Sequence, residues 1–159
     1  MENTAYHEAG HALIAVHVGA EVRSLTIDPD ADDGPLRFGD TQIEWTVDRL
    51  SEREFLEHRI VVALAGPVAE MLYTGDPYHP GLVSEWSGDW HEAWDTAASL
   101  FPDQRQRLSF LEQSTRELFQ LLNTPRFWSA LAALADELLA HETLEGEQVE
   151  DIVAPWLNI

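Results

Sequence analysis

The chain contains no cysteine. Disulfides and thiolate ligands are therefore excluded, and any zinc it binds must be held by histidine and carboxylate side chains. It contains no lysine either, so its nine basic residues are all arginine, against 29 acidic ones and a formal net charge of −20. That balance argues against nucleic acid, which rewards Lys/Arg clusters, and against binding to anionic membrane surfaces. No apolar run approaches the ~18 residues of a membrane-spanning helix, and no leader peptide precedes the first motif. A soluble, cytoplasmic protein with no membrane segment and no nucleic-acid partner is expected. Internal repeats and low-complexity linkers are missing too. The rest of the composition is ordinary for a globular chain. Hydrophobic residues make up 45% of its 159 positions, and that length suits one domain burying about 68–70% of its unfolded surface.

The richest stretch is AYHEAGHALIA, residues 5–15. On a helix, His7 and His11 stand one turn apart on one face, close enough to share a metal ion. Glu8 is offset by one position, which lets it reach a water on that metal without being a ligand. Ala5, Ala9, Ala12, Leu13 and Ala15 favour the helix, and Gly10 leaves room for another backbone or a substrate to come close. The competing reading is an amphipathic helix that happens to carry two histidines. A catalytic zinc site also needs a third protein ligand. Candidates are His17, Glu70, His79, Asp89, His91, Glu92 and Asp95, and spacing does not choose among them. Asp89 with Glu92 also matches an ordinary N-cap pattern.

Around this motif the pattern predicts a first helix from about Asn3 or Thr4 to Val18, closed by Gly19. Strands follow at 22–28 and at about 38–47, where Ile43, Trp45 and Val47 share one face. The acidic turn between them, from Asp28 to Gly34, imitates the start of a calcium loop. Its sixth position is Asp33 instead of Gly, however, and its twelfth is Gly39 instead of Glu, so a solvated hairpin loop is the simpler reading. Ser51 and Glu54 open a helix with Ile60, Val61, Leu64, Val68 and Leu72 on its apolar side, and Gly66-Pro67 is expected to kink or break it. Residues 74–86 read as loop. Further helices are predicted from Asp89 to before Pro102, over 103–122 and 125–141, and near 146–154, with Pro125 at a first helical position. The simplest account is one mostly α domain with a small β-sheet (α+β).

Beyond the motif, several segments resemble one known family in order along the chain. AYHEAGHALIA is similar to the zinc motif of the FtsH family, the membrane-bound ATP-dependent zinc metalloproteases. VRSLTIDP at 22–29 resembles the strand that follows it there. ALAGPVAEML at 63–72 resembles the family's A-G-R-x-A-E-E segment through Ala65, Gly66, Ala69 and Glu70. SGDWHEAWDTAA at 87–98 resembles the segment that carries the family's third zinc ligand, and aligning on Ala93 and Ala97 puts that ligand at Asp89. HETLEGEQVEDI at 141–152 is similar to its closing E-T-L-x-G-x-E. The resemblance implies a zincin-like metallopeptidase domain, about residues 1–100, followed by a C-terminal helical bundle at about 103–159. Pro67 stands where the family has Arg, Trp94 where it has Thr, and FPDQRQRL replaces a G-M-S-type segment. No G-x-x-x-x-G-K-[ST] phosphate loop occurs in these 159 residues.

The resemblance implies Zn²⁺ on His7, His11 and Asp89 with a fourth position left for water, Glu8 as general base, and Glu70 as a candidate outer carboxylate on a histidine. The implied activity is endopeptidase cleavage of unfolded or short polypeptides, with a separate ATPase or unfoldase as a possible partner and oligomer formation left open. The strand near 38–47 offers an edge to an extended peptide. A catalytically inactive, zinc-binding interaction module is the alternative. Against it stands Glu8, because a structural site has no use for a base beside its ligands.

Overall fold

The structure is a computed structural model that describes residues 1–28, 39–46 and 50–158. In chain order it consists of α1 (Glu2–His17), β1 (Glu21–Thr26), β2 (Asp40–Glu44), α2 (Glu52–Thr74), two short 3₁₀ turns (Pro80–Leu82 and Ser84–Trp86), α3 (Ser87–Ala97), α4 (Gln104–Leu122), α5 (Pro125–His141), β3 (Thr143–Glu145) and α6 (Gly146–Leu157). The chain is thus mostly α with a small antiparallel sheet of order β2-β1-β3. The imitation calcium loop and Val47 fall largely or wholly outside the described residues. No helix among the described residues is long and apolar enough to cross a membrane.

α1 begins at Glu2 behind Met1, one to two residues before the expected caps, and Gly19 follows it at φ +90°. An L side chain is strained at that angle, so glycine is the residue that lets the chain leave the helix there. α1 packs chiefly on α2. Ala5, Ala9 and Ala12 of α1 and Ala65 and Ala69 of α2 are fully buried, so the crossing is made of small side chains. A Cβ on Gly10 would lie 2.6 Å from both the Ala65 carbonyl oxygen and Ala69 Cβ, which leaves no room for one.

α2 rules out the break, one of the two outcomes expected at Gly66-Pro67. It starts as predicted, with Ser51 Oγ accepting from the Glu54 amide at 3.1 Å, but it runs through Gly66-Pro67 unbroken to a left-handed cap at Gly75. A proline inside a helix costs ~3 kcal/mol through one lost hydrogen bond and a steric clash. Here every residue from Val62 to Ala69 is buried, and that packing outweighs the local cost.

The sheet joins the two ends of the chain. β1 pairs with β2 through Val22↔Ile43 and Thr26↔Asp40, and with β3 through Ser24↔Glu145 and Thr26↔Thr143. In β2 and just beyond it Thr41, Ile43 and Trp45 are half-buried while Gln42, Glu44 and Thr46 face solvent, the alternation expected of a half-covered strand. β3 is an addition to a C-terminal part expected to be wholly helical. It is entered through Glu142 at φ +65°, whose carbonyl accepts from the Ile27 amide at 2.9 Å. α4, α5 and α6 lie within one or a few residues of the predicted spans, with Pro125 at the start of α5.

Gly10→Ala should therefore destabilise the protein by about 1–3 kcal/mol through overpacking, although alanine is the better helix former by ~1 kcal/mol. Gly88→Ala in α3, where an added Cβ meets nothing within 4 Å, is the control and should cost nothing. Urea unfolding of both variants measures this, and an unchanged midpoint for Gly10→Ala would mean that the helices do not touch there.

Candidate metal centre

Three elements meet at one point. α1 supplies His7 and His11 from successive turns, α3 supplies Asp89 from its first turn, and α2 passes beneath both rings at Gly66. His7 Nε2 lies 2.8 Å from Asp89 Oδ2, His11 Nε2 lies 3.4 Å from the same oxygen, and the two Nε2 atoms are 3.2 Å apart. Among the described residues these three side chains form the one group of histidine and carboxylate donors spaced to hold a metal ion. A Cβ on Gly66 would come within 2.3 Å of His11 Nε2 and 2.8 Å of His7 Nε2, so glycine there is what leaves the rings their place.

The far side of each ring is also fixed. His11 Nδ1 donates to the Val62 carbonyl at 2.7 Å, and His7 Nδ1 donates to the Glu70 carboxylate at 3.0 Å. In a neutral imidazole with Nδ1 protonated, Nε2 carries a lone pair. Two such lone pairs and a carboxylate oxygen then face one another in contact, an arrangement that repels unless a positive charge lies among them. A tetrahedral zinc ion with bonds of about 2.0–2.2 Å places its ligand atoms ~3.3 Å apart, close to the separations found. The donor set of two imidazoles and one carboxylate, with the outer partners on Nδ1, fits that ion.

Without a metal the same demand for charge falls on a proton. Burial would lower the His7 pKa, but its hydrogen bonds to Asp89 and Glu70 and the nearby carboxylates push it up to about 10. Burial would likewise raise Asp89, yet His11 and His7 hold its carboxyl well below the usual carboxylate range. Glu8 stands beside the cluster, 6% exposed, and burial raises its pKa against the opposing pull of His11 and His7. Its Oε1 accepts from Thr41 Oγ1 of β2 at 3.2 Å, and a Cβ on Gly39 would press on its Cγ at 2.8 Å.

The other sequence candidates are elsewhere. His17, His91, Glu92 and Asp95 are exposed and outside the cluster, and Glu92 lies 3.5 Å from Arg59. His79 packs edge-on against Trp90. Asp89 is not an N-cap: α3 begins at Ser87 behind Trp86, with no side-chain cap, and Asp89 turns to the histidines. Thr41, Gly66 and the Val62 carbonyl were missed by the sequence reading. Gly66 was visible as half of a helix-breaking pair and as a match to the A-G-R-x-A-E-E segment, with no role at the histidines, and neither of the others carries a sequence signal.

No family model matches the chain. Among curated proteins, it is 43% identical over 77 residues to the ATP-dependent zinc metalloprotease FtsH 1 of Rhodopirellula baltica, covering 46% of this chain and 11% of that protein. It is 39% identical over 74 residues to the chloroplastic ATP-dependent zinc metalloprotease FTSH 5 of Arabidopsis thaliana, covering 45% of this chain and 10% of that protein. With the ATP-dependent zinc metalloprotease FtsH 4 of Sorangium cellulosum the identity is 30% over an alignment of 191 positions, covering 94% of this chain and 28% of that protein. The chain therefore spans between about a tenth and three tenths of the length of these relatives.

A pH series tests the centre. His7 has a raised folded pKa, so in chelator its contribution to stability is complete below its ordinary 6.5 and is lost as pH rises towards about 10. Asp89 is depressed, and its contribution is lost only in acid. The metal-free thermal midpoint should thus fall between pH 7 and 10. The stabilisation by added zinc should grow over the same range, because the metal must displace protons. A metal-free midpoint that rises with pH would show that His7 carries no proton in the folded chain.

Proposed function

This chain is a relative of the FtsH family of ATP-dependent zinc metalloproteases, and from that premise we propose that it is a zincin-like metallopeptidase with Zn²⁺ on His7, His11 and Asp89. The observation that carries the proposal is the convergence of His7 Nε2, His11 Nε2 and Asp89 Oδ2 within 2.8–3.4 Å of one another beside a buried Glu8. A zinc ion held there would supply Lewis acidity towards a scissile carbonyl and would lower the pKa of a water to near ~7. Asp89 and the two imidazoles would hold the ion, and Glu70 and the Val62 carbonyl fix the rings in the tautomer that presents Nε2.

Glu8 is the general base. Its carboxylate takes a proton from the attacking water as the water oxygen bonds to the peptide carbonyl carbon, and it returns that proton to the leaving nitrogen as the C–N bond breaks. Thr41 donates to Oε1 and so leaves Oε2 to handle the proton. Thr41 belongs to β2, an edge strand among the described residues, and an extended polypeptide added along that edge passes close to Glu8. The substrates of this reading are short or unfolded polypeptides, because the scissile bond has to lie in an extended stretch of chain to reach Glu8.

Glu8→Gln separates base from ligand. The variant should bind zinc as the parent does and keep its thermal midpoint, but lose hydrolysis of an unstructured polypeptide by at least ~100-fold. Zinc content by metal analysis and cleavage with and without chelator are the measurements. Chelator-sensitive cleavage undiminished in Glu8→Gln would refute the role of Glu8.

A further inference from the structure

Glu8 belongs to α1, but the residues that confine its side chain come from β2 and the chain just before it. Thr41 Oγ1 lies 3.2 Å from Glu8 Oε1 and 3.3 Å from the Glu8 main-chain carbonyl oxygen. One hydroxyl therefore ties the far end of the side chain to the backbone it springs from. Among the described residues, Thr41 is the side chain that bonds this carboxylate. Two positions earlier, a Cβ on Gly39 would lie 2.8 Å from Glu8 Cγ, 2.9 Å from the Thr26 carbonyl oxygen and 2.9 Å from Thr4 Cγ2. Residues two apart in extended chain share a face, so Gly39 and Thr41 meet Glu8 from the same side of the strand.

We propose that Gly39 and Thr41 are positioning residues for the base, Gly39 seating the Glu8 methylenes and Thr41 holding Oε1. The inference rests on the peptidase reading and adds to it two residues that neither hold the metal nor move a proton. A glutamate side chain has three torsions to fix, and a base must come within about 2.6–3.2 Å of the proton it takes. A misplacement of ~1 Å in a reacting group can cost ~100-fold in rate. The histidines are steadied from α2 by Glu70 and the Val62 carbonyl, whereas Glu8 makes no such bond to α2 among the described residues. The metal ligands and the base are thus located by different elements, the first by helices and the second by the sheet. The rival role for Thr41 is that of a fastener between sheet and helix through the Glu8 carbonyl, which would work whatever side chain stood at position 8.

The test has one arm without catalysis and one with it. In chelator, urea midpoints are compared for the parent, Thr41→Val, Glu8→Ala and the double variant. Thr41→Val should lower the midpoint of the parent and leave that of Glu8→Ala unchanged or higher, because there the hydroxyl has already lost its carboxylate. In the zinc-loaded protein, Thr41→Val should lower kcat on an unstructured polypeptide at least about tenfold, with KM and zinc content unchanged. Thr41→Ser should restore kcat to within about threefold of the parent, and Gly39→Ala should lower it at least as far as Thr41→Val does. If Gly39→Ala does not fold, the Thr41 variants decide. Equal midpoint shifts in the two backgrounds make Thr41 a fastener and overturn the proposal. So does a kcat that Thr41→Val leaves unchanged, or a loss that Thr41→Ser does not restore. A parent with no chelator-sensitive cleavage sinks the peptidase reading and the positioning role together, and the midpoints in chelator tell that failure apart from a missing bond.

Discussion

The contact between α1 and α2 is the constraint on which the rest depends. Helices come as close as these only where both faces are stripped to glycine and alanine, and here Gly10 meets Ala65 and Ala69 with no space for another carbon. On α1 His7 and His11 come from the successive turns around Gly10, so the close approach lays both rings on the α2 surface. Val62, Gly66 and Glu70 are spaced by four residues, which places them along one face of α2. In order they provide a carbonyl acceptor for His11, an opening for both rings, and a carboxylate for His7. A wider crossing would break all three relations together. The length of unbroken helix through Pro67 follows from this, because a break at that point would turn Glu70 away from the ring it holds.

The parts of this arrangement that the sequence displays are those separated by one turn or less. His7, Glu8 and His11 are legible because helix geometry alone fixes how they relate. Asp89 was one of seven candidates by spacing, and only the resemblance singled it out, since its approach to the histidines depends on how α3 docks on α2. Glu70 was readable as a carboxylate in the right segment but not as the partner of His7 instead of His11. β3 was illegible for a plain reason: three residues carry no periodicity, and the strand exists only because β1, more than a hundred residues earlier, offers it an edge. Pro67 does not break α2 because the local rule was set against a helix segment buried from Val62 to Ala69, and burial prevailed.

Electrostatics divides the molecule into two regimes. On the surface, 29 acidic against 9 basic residues make a field that repels like-charged partners and is screened by salt beyond ~8 Å at physiological ionic strength. Inside, the centre gathers three carboxylates, Glu8, Glu70 and Asp89, around two imidazoles. Its deficit is local and unscreened, and it is expressed in the rise of His7 towards about 10. A divalent cation answers that deficit more completely than a proton, since it neutralises Asp89 while leaving both rings in the tautomer that Glu70 and the Val62 carbonyl select. The acidic surface and the centre's demand for a cation therefore work in the same direction, favouring positively charged species at the molecule and a positive ion at its heart.

The surroundings of Glu8 bear on how the proposed chemistry would be directed. Its carboxylate is bounded on one side by β2, through Thr41 and the tight fit of Gly39, and lies beside a cluster that α3 completes with Asp89. A polypeptide laid along the open edge of β2 presents alternate side chains to opposite faces. Backbone pairing along an edge is indifferent to sequence, so selectivity in such an arrangement has to come from where the side chains land.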